Sequence, residues 1–192
     1  LNQSNYELLR AKRDTDDILN NVEEGIFLLN SNFEFGLQYS LSLEKMLLEE
    51  KISGQNLLQL LHKKLEGGII KSTAEYLNLM FSEDVDEESL KELNPLSEVE
   101  LNIFDDEKAW LGSKYLSFNF KRIYEDSKIQ NLIATVIDVT EQVVLAQKLK
   151  IYEEKTHHQV EWMVTILQIE PALLKEFLES AQSELKYVDS LL

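Results

Sequence analysis

Three histidines are the first residues of this chain that could carry chemistry. His157 and His158 are adjacent, and neighbouring side chains on a helix diverge by about 100°, so they cannot act as the i, i+4 pair that holds a metal ion. They read as a solvated pair on a helix flank. His62 stands near the end of the stretch SGQNLLQLLHKK (53–64). The chain has no cysteine, which removes disulfides, cysteine-bound zinc, iron–sulfur clusters and thiol nucleophiles at once. A Gly-rich phosphate loop, a metal-spaced cluster and a nucleophile–base set are all missing from the sequence. It offers no catalytic residue and no metal ligand, and it reads as a non-enzyme.

A second kind of chemistry stands at Asp138-Val139-Thr140. The stretch VIDVTEQVVLAQKLK (136–150) begins with the composition of a strand and becomes a helical pattern at Val144, Leu145 and Leu149, with no Gly or Pro between. Thr140 can cap the free amides of that helix, and Glu141 suits its positive end. Asp138 falls in the strand, where a carboxylate needs a partner; Lys121 or Arg122 on the neighbouring strand is the candidate. A sheet joined to a helix without a loop passes on small shifts that a loop would absorb.

The elements that must position this junction follow from period. Residues 1–22 read as a helix whose Leu8, Ala11, Thr15, Ile18 and Val22 form the narrow seam of a coiled coil. EEGIFLLN (23–30) and FEFGLQYS (33–40) read as a hairpin about the turn at 31–32. Short helices follow over 41–50 and 53–64, the second with Ser53 or Asn56 as its cap. The next helix, 69–81, has Ile70, Thr73, Leu77 and Met80 on one face. An acidic patch, 82–93, contains a last short helix. From Pro95 the period is two: Val99, Leu101 and Ile103, then Leu116, Phe118 and Phe120, alternate with polar residues. EDSK (125–128) turns the chain into IQNLIATVIDV (129–139), which is apolar on both faces and so belongs at the centre of a sheet. The fold expected is α+β, a five-stranded antiparallel sheet with helices on one face.

Composition agrees with a packed domain: 192 residues, 44% hydrophobic and 28% charged. With 35 acidic against 19 basic residues the net charge is −16, which repels phosphate backbones and anionic lipid, so no nucleic-acid partner is expected. No apolar run approaches the roughly 20 residues of a membrane span, and nothing resembles a signal peptide. The chain begins at Leu1 and stops on DSLL, and it is expected to be a piece of a longer protein. The expected location is the cytoplasm, with no membrane contact by this piece.

The order of elements and several residues resemble the PAS sensor family. The resemblance lies in ILNNVEEGIFLLNSNFEFGLQYSLSLEKML at the front, the Gly54 to Leu57 turn, and IQNLIATVIDVTEQ with the closing Asp138-Val139-Thr140 signature. It covers about residues 18–142. It implies a sensory module in which Asp138 and Thr140, with Lys121 or Arg122, couple the sheet to an output helix. It also implies a small ligand held between sheet and helices, with Leu57, Leu61, Ile70, Leu77, Phe118 and Phe120 as the candidate lining. Apolar residues at these periods are more often plain core. Cysteine-dependent flavin and thioester chemistries are excluded. Haem is disfavoured, because family ligands lie in the helix occupied here by 69–81, which has no histidine. A non-covalent small ligand, or none, stays open.

Past the signature, Leu145, Leu149, Tyr152, Val160, Met163 and Leu167 mark an apolar seam interrupted by Thr156 and Gln159. HHQVEWMVTI lacks the acidic residue and proline that follow a dimerising kinase's phosphoacceptor histidine. Glu170-Pro171 breaks the helix, with Pro171 in the first turn of the next. There Leu174, Leu178, Ala181, Leu185, Val188 and Leu192 form a cleaner heptad seam. Residues 169–192 also resemble the opening helix of histidine phosphotransfer domains. The expected organisation is an N-terminal helix (1–17), the PAS domain (18–142), a signalling helix (143–168) and a second helix (169–192). A homodimer through the terminal helices is expected. Its parent would be a histidine kinase or phosphorelay protein. A cyclic-dinucleotide enzyme and a ligand-free scaffold are the alternatives.

Overall fold

The computed structural model describes residues 3–104, 110–168 and 171–189. Helix α1 (Gln3–Asn21) leads into strands β1 (Gly25–Leu29) and β2 (Phe35–Tyr39). Four helices follow: α2 (Leu41–Leu47), α3 (Leu57–His62), α4 (Gly67–Met80) and α5 (Glu87–Lys91). Then come β3 (Val99–Phe104), β4 (Trp110–Glu125), β5 (Lys128–Asp138), α6 (Thr140–Gln168) and α7 (Pro171–Asp189). Pro171 opens α7, where a missing amide proton costs nothing. The chain divides into two compact units, Leu1–Val143 and Val144–Leu192.

The strands form one antiparallel sheet in the order β2-β1-β5-β4-β3. The strand with apolar residues on both faces, β5, is therefore the central one. A two-residue turn joins β4 to β5, with Asp126 and Ser127 both left-handed (φ 48° and 64°). That backbone matches the right-handed twist of paired strands. Alternation along the strands sends Phe27, Leu29, Leu116, Phe118, Phe120, Leu132, Ala134 and Val136 into one core.

Helices α2 to α5 supply the other half of that core. Leu43, Leu47, Leu57, Leu61, Leu77, Met80 and Leu90 are at most 1% exposed. In α4 the buried stripe is Thr73, Tyr76, Leu77 and Met80. Tyr76 thus joins the face expected from the sequence, and Ile70 is only partly buried at its rim. The Tyr76 ring meets Phe120 edge-on at 6.0 Å, and Phe120 stacks on Phe118 at 6.3 Å. Of the two cap candidates for α3 it is Asn56 that serves, its side chain accepting from the Gln59 amide at 3.1 Å. Helix α2 stops sooner than its apolar run, because Leu48 turns left-handed (φ 53°).

Candidate functional site: the sheet-to-helix junction

A single residue, Val139, separates the last strand from α6. Its amide still donates to the Tyr115 carbonyl at 2.9 Å, and its own carbonyl accepts from the Val143 amide at 3.0 Å. One residue thus donates to the sheet ladder and accepts from the helix. Two side chains lock the exchange. Asp138 Oδ1 accepts from the Thr140 amide at 3.0 Å and from the Thr140 hydroxyl at 2.5 Å. The hydroxyl in turn accepts from the Tyr115 amide on β4 at 3.0 Å. The cap therefore differs from the one expected. Asp138 serves the free amide, and Thr140 reaches back to the sheet, prolonging the β4–β5 ladder by one side chain.

The partner expected for Asp138 also needs correction. Asp138 stands opposite Leu116, whereas Lys121 and Arg122 stand opposite Ile133 and Leu132. Five residues of strand separate the two places, about 17 Å at the usual rise. Lys114 takes the role instead, with Nζ 3.9 Å from Asp138 Oδ2. Both side chains are about one third exposed (31% and 38%), so water screens the pair and it contributes little to stability. The sequence held a signal for this register. Counting back from the EDSK turn with Glu125 opposite Lys128 puts residue 138 beside 115, one short of the observed partner because of an irregularity at Ile123/Tyr124.

Arg122 has a different task. Its guanidinium donates to the carbonyls of Leu79, Met80, Ser82 and Val85 at 2.7–3.0 Å, at the negative end of α4 and the turn beyond it. The Arg122 amide donates to Glu87 Oε2 at 3.2 Å. Burial foremost, with the Glu87 charge adding to it and Arg122 opposing it, pushes the nearby Tyr76 phenol up to about 12. Arg122 thus fastens β4 to α4 and to the acidic segment. Sequence reasoning could not find this, because carbonyl acceptors leave no mark on residue type.

The six candidate lining residues are brought together, but as interlocked side chains. Leu57, Leu61, Leu77, Phe118 and Phe120 are at most 2% exposed and belong to the hydrophobic core, with Ile70 packed against it. The grooves described lie elsewhere, along α6, between α1 and the β1–β2 hairpin, and beside α3. His62 is exposed at the end of α3. His157 and His158 lie 3.3 and 3.4 Å from the two oxygens of Glu161, all three well exposed. Among the described residues no group of three His, Cys, Asp or Glu could hold a metal ion, and no helix is long and apolar enough to cross a membrane. On α6, Leu145, Leu149, Tyr152, Val160 and Met163 are all exposed. On α7, Leu178 is exposed and Ala181 half-buried; the side chains of Leu167, Leu174, Leu185, Val188 and Leu192 lie outside the described residues.

A five-stranded antiparallel sheet in this order, helices over one face and a direct passage into a C-terminal helix define an α+β architecture. It is a PAS-like fold. The chain superposes on an RNA-binding light-oxygen-voltage receptor with a TM-score of 0.52 at 12% identity, covering 80% of this chain. It spans 39% of that receptor's length. Weaker superpositions include the PAS domain of BvgS from Bordetella pertussis (TM-score 0.44, 10% identity, 76% of this chain and 98% of that one). Another is a sensory box histidine kinase/response regulator from Burkholderia thailandensis (TM-score 0.42, 9% identity, 71% and 92%). No protein-family model and no curated protein matches the chain.

Proposed function

We infer that the chain is a non-catalytic sensory module of a larger signalling protein, and that the Asp138–Thr140 junction is its output. The observation that carries this reading is that a single residue, Val139, is bonded to both sheet and helix, tied across by Asp138 and Thr140. A shift of β5 against β4 has no loop in which to dissipate, so it must rotate or translate the start of α6. The exposed seam of α6 supports a homodimer in which that movement is read as a change of helix register. A histidine-kinase phosphorelay in the cytoplasm is the output we favour, and a cyclic-dinucleotide enzyme is the alternative.

A second reading rests on one observation: the candidate pocket residues are packed into the core. In that case the module is a dimerising scaffold whose state is set by protein contacts and not by a small ligand. Native mass spectrometry of the purified chain separates the two. A dimer carrying an added small mass supports the ligand sensor, and a bare dimer supports the scaffold. A monomer at tens of micromolar would remove the dimeric output from both.

A further inference from the structure

The first and last strands are neighbours, with Gly25 opposite Val136, so α1 ends and α6 begins at one end of the same strand pair. Helix α2 sits over that end. A Cβ on Gly25 would lie 2.8 Å from Leu43 Cδ1, 3.0 Å from Val136 Cβ and 3.4 Å from Leu43 Cα, so a larger residue there would have to displace the Leu43 side chain. The start of α2 is tied to the segment leaving α1. Ser42 Oγ donates to the Val22 carbonyl at 2.6 Å, and the buried Ser40 Oγ donates to the Glu24 carbonyl and accepts from the Ile26 amide, both at 2.8 Å.

The far end of α2 reaches the other junction. Lys114 Nζ lies 3.5 Å from the carbonyl of Lys45, in the last turn of α2, and 3.9 Å from Asp138 Oδ2. A cation between the negative end of a helix and a carboxylate is attracted by both. These contacts contribute little energy, but they place one side chain between α2 and the carboxylate that holds Thr140.

We propose that α2 is a strut through which α1 sets the state of the Asp138–Thr140 junction, with Lys114 as the positioning residue at its far end. The inference rests on reading that junction as the output. It adds an input: a pull or twist on α1 reaches α6 without any change in the core. The competing route is the β1–β5 ladder, which needs neither Ser42 nor Lys114.

Hydrogen exchange of the full chain tests it, read at the Thr140 and Val143 amides in Ser42→Ala, Lys114→Met and the double variant. Ser42→Ala is expected to speed exchange at both amides about threefold, and to add almost nothing when Lys114 is already Met. Lys114→Arg should keep the wild-type response. An unchanged rate in Ser42→Ala, or the same rise with and without Lys114, overturns the strut and leaves the ladder as the route. If Ser42→Ala also loosens the Leu132 and Ala134 amides, Lys114→Met alone must still speed Thr140 while leaving those two unchanged; otherwise the proposal fails. Native masses of the same samples keep the two readings apart. Lost coupling in an intact dimer sinks the strut only, whereas a monomer throughout sinks the dimeric output only.

Discussion

Leu77 and Leu149 both lie on helices, each in an apolar stripe, yet one is 0% exposed and the other 55%. In α4 the stripe of Thr73, Tyr76, Leu77 and Met80 faces the sheet and is closed over by Phe118 and Phe120. In α6 the stripe from Leu145 to Met163 stays open in the single chain, each of its apolar members more than half exposed. Period alone therefore shows that a face is meant to be covered, not what covers it. The first stripe serves the fold; in the reading proposed above, the second serves an assembly.

The sharpest way to break this comparison is a matched pair of truncations. Phe118→Ala should lower the unfolding free energy by about 3–5 kcal/mol, through lost burial and an unfilled cavity. Leu149→Ala should change the unfolding of the monomer by less than about 0.5 kcal/mol while weakening self-association. Urea unfolding and sedimentation measure the two effects. Equal losses of stability would show that the α6 stripe is core after all.

Arg122→Met comes next. It leaves the carbonyls at the end of α4 without their cation while keeping the aliphatic bulk. A loss of about 2–3 kcal/mol is expected, together with faster exchange in 79–87. A loss no larger than that of an exposed arginine would mean that water replaces the guanidinium without cost.

Alkaline pH tests the same corner. Burial holds the Tyr76 phenol protonated up to about 12, against 10.0 for a free tyrosine. The unfolded chain thus ionises first, and the stability that Tyr76 contributes is whole below pH 10 and is lost as pH rises through about 12. Tyr39 shares the direction, its phenol pushed up to about 12 by burial and by its hydrogen bond to Glu44. Unfolding free energy should fall between pH 10 and 12, and Tyr76→Phe should flatten part of that fall. An ultraviolet titration in which every tyrosine ionises near 10 would contradict it.

Much of the fold was legible because burial writes itself into period. Residues 129–139, apolar on both faces, belonged at the centre of the sheet, and the alternation at 116–120 fixed which side of β4 is inward. The junction was legible by residue type, since Asp and Thr between a strand and a helix have few other uses. Its partners were not. Lys121 and Arg122 were nearer in composition than in space, because a strand register moves a charge by whole residues and the turn that sets it must be counted through an irregularity. Backbone acceptors are silent in a sequence, so neither the clamp made by Arg122 nor the contact of Lys114 with α2 could be read there.

The smallest effect falls on the junction itself, and it separates coupling from folding. Thr140→Val keeps the shape of the side chain but removes the hydroxyl that joins Asp138 to the Tyr115 amide. The change should cost about 1 kcal/mol, as for one partly exposed hydrogen-bond pair. Because Ala134 and Leu132 lie further back along β5, paired with Phe120 and Arg122, their amides should keep their protection. Exchange at Tyr115 and Thr140 should quicken, and Thr140→Ser should restore both. If Val and Ser behave alike, the hydroxyl is no tie, and the backbone bonds of Val139 must hold α6 to the sheet alone.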